Sequence, residues 1–280
     1  MTLSVDRMAY LFSFLKKEAG IAFDEKKLYL VRTRLLPLAR SHGFDSLDLL
    51  VDELKRSECG ELAVQILDQM TTNETLFFRD AYPFEVLKTH LFPELLAKKS
   101  GFGRIKIWSA AASTGQEAYS IAMTAMNHIP QAQSRVKIIG TDISSRAIAY
   151  AKASIYKQME VQRGLPIQEL VKNFKQSGEH LWQVNDQLRA MVHFQEANLI
   201  SPTLVVTLRH YSPFDIVFCR NVLIYFEIEQ RKHVIDHISQ LLDIGGYLFT
   251  GAGEVVEGKQ SKWEIVRFEN RLVWRLVSRN

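Results

Sequence analysis

Along residues 1–70 the apolar positions recur at helical spacing. Met8, Leu11, Phe12 and Leu15 fall at i, i+3, i+4 and i+7, and the run stops at Gly20. A second helix is expected from about Asp24, with Leu28, Val31, Leu35 and Leu38 on one side and Pro37 ending or kinking it. Two more are expected at Leu47–Lys55, capped by Asp45 or Ser46, and at Glu61–Met70. From Arg104 onward the period changes. Ile105, Ile107 and Trp108 make a short strand, and Ala118, Ile121, Ala122 and Ala125 then return to helical spacing. Strands are expected again at 136–144, 191–199, 214–221 and 246–251, with helices at 146–154 and 228–242. Strands alternating with helices predict an α/β fold, a doubly wound and mostly parallel sheet with helices on both faces. The last stretch, 263–277, reads as a hairpin around Glu269 and Asn270 that adds antiparallel edge strands.

One segment breaks the alternation. Residues 155–190 hold Gly164, Pro166 and Gly178, a short helical run at 167–174, and HLWQVNDQLRAMVHF, whose short apolar runs could pair as strands. It reads as an insertion, either a surface excursion or a small partner-binding subdomain. The expected organisation is a helical domain at 1–75 and a sheet domain at 76–280 that carries this insertion.

Composition narrows the class. A chain of 280 residues, 47% apolar and 24% charged, is an ordinary globular protein able to bury a large core. No apolar run reaches bilayer length and MTLSVDRMAY is no signal peptide, so a cytoplasmic protein without membrane insertion is expected. Cys59 and Cys219 suggest packing residues rather than a disulfide framework or zinc site. His233 and His237 in HVIDH share a helix face, but Asp236 is not the glutamate of H-E-x-x-H and no third ligand is evident, so no metal is expected. A net charge of +4 gives no argument for nucleic acid. Lys26, Lys27, Arg34 and Arg40 do gather on one side of the second helix, as a solvated face or as a docking surface for an acidic partner. Sequence physics alone favours the solvated face.

Candidate chemistry sits at strand ends. Ser109 to Gly115 are almost all small, the kind of turn that admits a ligand close to the backbone or merely packs a strand against a helix. The turn lacks both G-x-G-x-x-G and G-x-x-x-x-G-K-[ST], leaving a dinucleotide, a mononucleotide and S-adenosylmethionine open. Asp142 ends the next strand, where a carboxylate can accept from ribose hydroxyls or cap a helix. Asn198 can read an adenine edge or make an Asx turn. Arg220 and Asn221 end a third strand, and the convergence favours an adenosine-containing ligand. In TTNETLFFRDAYPF, Arg79 follows two aromatic anchors and is suited to clamp a carboxylate.

TTNETLFFR, SAAASTGQEAYSIAM, TDIS, EANL and FCRNVLIYF, in this order, resemble the chemotaxis receptor glutamate methyltransferase family, CheR. The resemblance covers nearly the whole chain. It implies a class I, Rossmann-like S-adenosylmethionine-dependent methyltransferase with an all-α N-terminal domain and a small inserted antiparallel β-subdomain. It implies O-methylation of glutamate side chains on the cytoplasmic helices of chemoreceptors, in sensory adaptation, leaving S-adenosylhomocysteine. Asn73, Thr75, Arg79, Glu117, Asp142, Asn198, Leu199, Arg220 and Asn221 carry over as cofactor contacts. Tyr225 belongs beside the transferred methyl, with Arg79 as its catalytic companion. Lys26, Lys27, Arg32, Arg34 and Arg40 become docking residues for an acidic receptor segment, and a monomer is expected. Gln116 and Ala118 stand where the family more often has Glu and Pro, and GAGE at 251–254 resembles its GHSE without His and Ser. The loop around Gln176–His180 is short for tight capture of a receptor tail. Two other functions stay open: methyl transfer to a small molecule or RNA, and a non-catalytic cofactor-binding signalling module.

Overall fold

The computed structural model describes residues 3–23, 27–99, 103–256, 260–269 and 271–279. The chain opens with four helices, α1 (Val5–Ala19), α2 (Leu28–Ser41), α3 (Leu47–Arg56) and α4 (Glu61–Met70). Gly20 ends α1 at φ 71°, the left-handed cap glycine adopts without a Cβ penalty. Ser46 caps α3, its hydroxyl accepting from the Leu49 N–H at 3.3 Å. Pro37 does not end α2, which continues to Ser41. Proline has no N–H for the Thr33 carbonyl, but Thr33 and Pro37 are both exposed, so water can satisfy that carbonyl. Leu11, Leu15, Val31, Leu35, Leu50 and Ile66 close a core belonging to these four helices.

Before the sheet lie α5 (Tyr82–Val86), a π-helical turn (Leu87–Leu91) and α6 (Phe92–Lys98), none of which the sequence reading anticipates. Pro83 and Pro93 each sit in the first turn of their helix, where no N–H is required. The sheet domain then runs β1 (Ile105–Ala110), α7 (Gln116–His128), α8 (Ala132–Arg135), β2 (Val136–Asp142) and α9 (Ser145–Ala153). The insertion follows as β3 (Ile155–Lys157), α10 (Gln158–Val161), α11 (Ile167–Asn173), β4 (Phe174–Gln176) and β5 (Leu181–Val184). After it come α12 (Asp186–Arg189), β6 (Val192–Glu196), α13 (Leu204–Leu208), β7 (Phe214–Cys219), α14 (Ile228–Leu241), β8 (Leu242–Thr250), β9 (Trp263–Phe268) and β10 (Arg271–Leu276).

The main sheet has seven strands in the order β6-β2-β1-β7-β8-β10-β9. The first five are parallel; β10 and β9 form the antiparallel edge hairpin. Asn270, half of the expected turn, lies outside the described residues. Adjacent residues of the parallel strands serve opposite faces. Ile107, Ile138, Ile216 and Phe218 join one core with α7, whereas Trp108, Ile139, Val217 and Cys219 join another with α14. Burial on both faces is why these strands read as unbroken apolar runs. Successive strands depart to opposite sides of β1 and β7, so the switch point of the fold lies between their carboxyl ends.

The insertion forms a three-stranded antiparallel sheet, β3-β5-β4. Of HLWQVNDQLRAMVHF only Leu181–Val184 joins it, because Asn185 caps α12 instead, accepting from the Leu188 N–H at 3.0 Å. Tyr156 of β3 is fully buried among Phe77, Tyr119 and Phe174. Its hydroxyl donates to the Thr114 carbonyl at 2.8 Å, tying the insertion to the turn after β1.

Candidate active site

The turn after β1 is stitched to β2 before it meets any ligand. Ala112 N–H donates to the Thr141 carbonyl at 2.8 Å and Ser113 N–H to Asp142 Oδ2 at 2.8 Å. Ala111, Ser113 and Gly115 all have positive φ, at 67°, 51° and 97°. At Gly115 a Cβ would lie 3.0 Å from the Tyr156 hydroxyl, 3.0 Å from Ala151 Cβ and 3.1 Å from the Phe194 ring. The bare glycine therefore admits close packing by the insertion and β6, while Ala111 and Ser113 are the residues of this turn that border the cleft.

That cleft occupies about 1240 Å³ including its open mouth. Asn73, Thr75, Arg79, Glu117, Asp142, Asn198, Leu199, Arg220, Asn221 and Tyr225 all border it. Asp142 is buried; its second oxygen, Oδ1, accepts from Ser144 N–H at 3.0 Å. Burial pushes its carboxyl up, against the N–H groups of Ser144, Ser113 and Ile143, which favour the anion. Each carboxylate oxygen keeps acceptor capacity for a ligand hydroxyl. Asn73 is brought to the same place by its own carbonyl, which accepts from Ser113 Oγ at 2.8 Å. Asn198 makes the Asx turn: Oδ1 accepts from Ile200 N–H at 3.1 Å while Nδ2 donates to the Glu18 carbonyl at 2.6 Å. These two bonds fix the amide at the cleft wall and leave it one N–H and one lone pair.

Charge is organised around Arg220, at the end of β7, whose side chain is 1% exposed. Nη1 donates to Glu117 Oε2 at 2.9 Å; Nη2 donates to Asp80 Oδ2 at 2.6 Å and to the Arg79 carbonyl at 3.0 Å. Glu117 also accepts from Ser109 Oγ at 2.7 Å. One buried cation thereby fixes α7, β1 and the strained segment around Arg79, where Phe78, Asp80 and Ala81 have φ of 50°, 65° and 48°. Arg220 Nε is buried with no partner among the described residues. An unmet donor on a residue of the cleft wall suits a ligand with an anionic end. Arg79 is half-buried, and among the described residues its side chain makes one hydrogen bond, Nη1 to the Glu74 carbonyl at 3.2 Å.

The helical region reaches the opposite rim. Ala22 N–H donates to the Tyr225 carbonyl at 3.2 Å, and a Cβ on Gly20 would come within 2.8 Å of the Phe226 ring. Lys27 borders the cleft and lies 3.4 Å from the Ala22 carbonyl. Arg34 is not a free surface cation: Nη1 donates to the carbonyls of Met70 and Thr71 at 3.0 and 3.1 Å, and Nη2 to Thr72 Oγ1 at 3.2 Å. It caps the carboxyl end of α4. Arg32 and Arg40 are exposed, and Lys26 lies outside the described residues.

Other polar residues have structural places. His237 Nδ1 lies 3.0 Å from the Leu199 carbonyl, its ring against His233, and burial lowers its pKa. Among the described residues no group of three or more His, Cys, Asp and Glu is placed to hold a metal ion. Cys219 is buried and its thiol is pushed well up by burial, whereas Cys59 is exposed rather than packed. No helix among the described residues is long and apolar enough to cross a membrane. Sequence reasoning missed Asp80, whose partner is distant in the chain, and Glu254, whose carboxylate accepts three backbone N–H groups. The signal for Glu254 was the GAGE stretch at 251–254, whose resemblance to GHSE gave the glutamate no role.

Residues 6–71 match the family described as CheR methyltransferase, all-alpha domain, and residues 73–272 match CheR methyltransferase, SAM binding domain. A chemotaxis protein methyltransferase of Vibrio anguillarum is 38% identical over 99% of this chain and 98% of its own. Chemotaxis protein methyltransferase 1 of Pseudomonas aeruginosa is 39% identical over 94% of each chain. Among solved structures, an rRNA methyltransferase from Streptomyces viridochromogenes covers 81% of this chain and 94% of its own at 13% identity and a TM-score of 0.44, too distant to bear on substrate. The matches span both the helical region and the sheet that builds the cleft, and the chain belongs to the CheR family of chemotaxis methyltransferases, with S-adenosylmethionine as its cofactor.

Proposed function

We propose that the protein transfers the methyl group of S-adenosylmethionine to glutamate side chains on the cytoplasmic helices of chemoreceptors, forming methyl esters. The observation that carries this reading is that ten residues from five separate stretches of sequence border one cleft at the switch point of the sheet. In this reading residues 1–75 form the helical docking domain and 76–280 the catalytic domain, with the insertion at about 155–190.

The bound cofactor supplies a methyl group on a sulfonium, an electrophile that needs no further activation. The accepting glutamate, with a pKa of about 4.3, is anionic at neutral pH, so the protein needs no general base. Its residues align and dehydrate. Asp142 takes the ribose hydroxyls, Arg79 holds a carboxylate, and Tyr225 lines the sulfonium with its ring face or hydroxyl. Leu199, Val222 and Phe226 give the cleft apolar walls. A carboxylate loses its charge as its ester forms, so excluding water raises the ground state more than the transition state.

The test is transfer of labelled methyl from S-adenosylmethionine to a cytoplasmic receptor fragment, followed by mild alkali. Base-labile label on glutamate is the expected result. No transfer together with tight S-adenosylhomocysteine binding would move the search to another acceptor.

Substrate docking falls to Lys27, Arg32 and Arg40, with Lys26 beside them in sequence, while Arg34 is occupied by its carbonyl contacts. An acidic receptor helix steered by these cations should be methylated more slowly as salt rises. Between low and physiological ionic strength kcat/KM is expected to fall severalfold, and the double variant Arg32→Glu, Arg40→Glu should raise KM while leaving kcat alone. Rates indifferent to salt would remove the docking assignment.

A further inference from the structure

The segment that follows β7 carries Arg220, Asn221 and Tyr225 to the cleft, yet little of it is regular. After Asn221, at φ 58°, only a single 3-10 turn (Leu223–Tyr225) intervenes before the chain becomes extended at Phe226. The N–H groups of Tyr225 and Phe226 close this turn on the Val222 and Leu223 carbonyls, at 3.1 Å each, whereas those of Asn221 and Ile224 both turn to one side chain from the loop after β8. Glu254 Oε2 accepts from Asn221 N–H at 2.8 Å and from Gly251 N–H at 2.6 Å, and Oε1 accepts from Ile224 N–H at 3.2 Å. Glu254 is buried. Gly251 is bare because a Cβ there would stand 2.6 Å from Glu254 Oε2 and 2.8 Å from the Asn221 nitrogen.

We propose that Glu254 is a positioning residue for the cofactor cleft: its carboxylate clamps the loop that follows β8 to the loop that follows β7, and so sets where Asn221 and Tyr225 stand. Hydrogen bonds to an ionised acceptor are the stronger kind, and both oxygens are committed. Asn221 is held in a left-handed conformation that costs a non-glycine residue free energy, and the clamp is what over-determines it. The clamp needs neither His nor Ser at 252 and 253, since only the Glu254 carboxylate and the bare Gly251 take part. The inference rests on the cleft being the cofactor site and on Tyr225 facing the reacting centre.

Glu254→Gln tests it. An amide keeps the shape but offers one accepting oxygen, so its NH2 must face either Ile224 N–H or the pair from Asn221 and Gly251. Titration with S-adenosylhomocysteine, which needs no receptor, should show affinity weakened about tenfold. With a receptor fragment, kcat should fall by at least the same factor while KM for the fragment stays, because α2 is untouched. Gly251→Ala, which pushes the carboxylate from the other side, should give the same loss and serves if Glu254→Gln does not fold. Parental affinity in a folded variant, with only a lower melting temperature, would reduce Glu254 to a structural stitch and overturn the proposal. Absence of transfer by the parent itself would count against the receptor reading, and the titration would still decide on Glu254.

Discussion

Replacing Arg220 with methionine should both destabilise the protein and abolish cofactor binding. The guanidinium is buried between two carboxylates of unequal exposure, Glu117 at 12% and Asp80 at 41%. Asp80 can turn to water when the cation is removed; Glu117 cannot. A stranded buried charge costs about 3 kcal/mol, roughly 6–12 °C in Tm for a chain of this size. Adding Glu117→Gln to the variant removes the stranded charge and should restore most of the Tm. Binding of S-adenosylhomocysteine should stay lost in the double variant, since the segment around Arg79 has still lost its anchor. A double variant no more stable than the single would mean that the cost lies in lost packing around Arg220 rather than in an unpaired Glu117.

The same residue shows what a sequence can and cannot tell. Strands buried on both faces announce themselves, because Ile107 with Trp108, Ile138 with Ile139 and Ile216 with Val217 must all be apolar whichever face they serve. Helix ends with local chemistry are equally legible, Gly20 after α1 and Ser46 before α3. Proline misled at Pro37, which lies in an exposed turn of α2 where its missing N–H costs little. Within the cleft, the strand-end residues were legible because the doubly wound fold converges them. Their partners were not. Arg220 looks like a ligand residue and is also the hub for Asp80 and Glu117; Arg34 looks like surface charge and caps α4; Gly115 looks like a ligand turn and makes room for Tyr156. Each of these roles is set by a residue distant in the chain, and no local pattern encodes it.

The cleft is also shared between regions. Glu18, Gly20 and Ala22, at the end of α1, touch Asn198, Phe226 and Tyr225. Ile21, Phe23 and Lys27, from the stretch between α1 and α2, also border the cleft, so a receptor docked on α2 as proposed would act close to it.

Replacing Arg79 with alanine should abolish methyl transfer, and the way it does so identifies what Arg79 holds. Its backbone is fixed by Arg220, by the buried Phe77 and by the Phe78 N–H, which donates to Ser120 Oγ at 2.9 Å. Among the described residues its side chain makes one hydrogen bond, at 3.2 Å to the Glu74 carbonyl, so truncation should leave Tm nearly unchanged. Losing one partner of a desolvated, hydrogen-bonded charge pair costs about a hundredfold or more. If the carboxylate it clamps belongs to the cofactor's methionine part, S-adenosylhomocysteine binding should weaken by that factor, and KM for S-adenosylmethionine should rise with it. If the carboxylate is the receptor's glutamate, S-adenosylhomocysteine should bind as it does to the parent while kcat collapses, because the cofactor is held but the nucleophile is not aligned. Arg79→Lys should rescue little in either case, since an ammonium cannot reproduce the two parallel donors of a guanidinium. Near-normal turnover in Arg79→Ala would remove this residue from the reaction altogether.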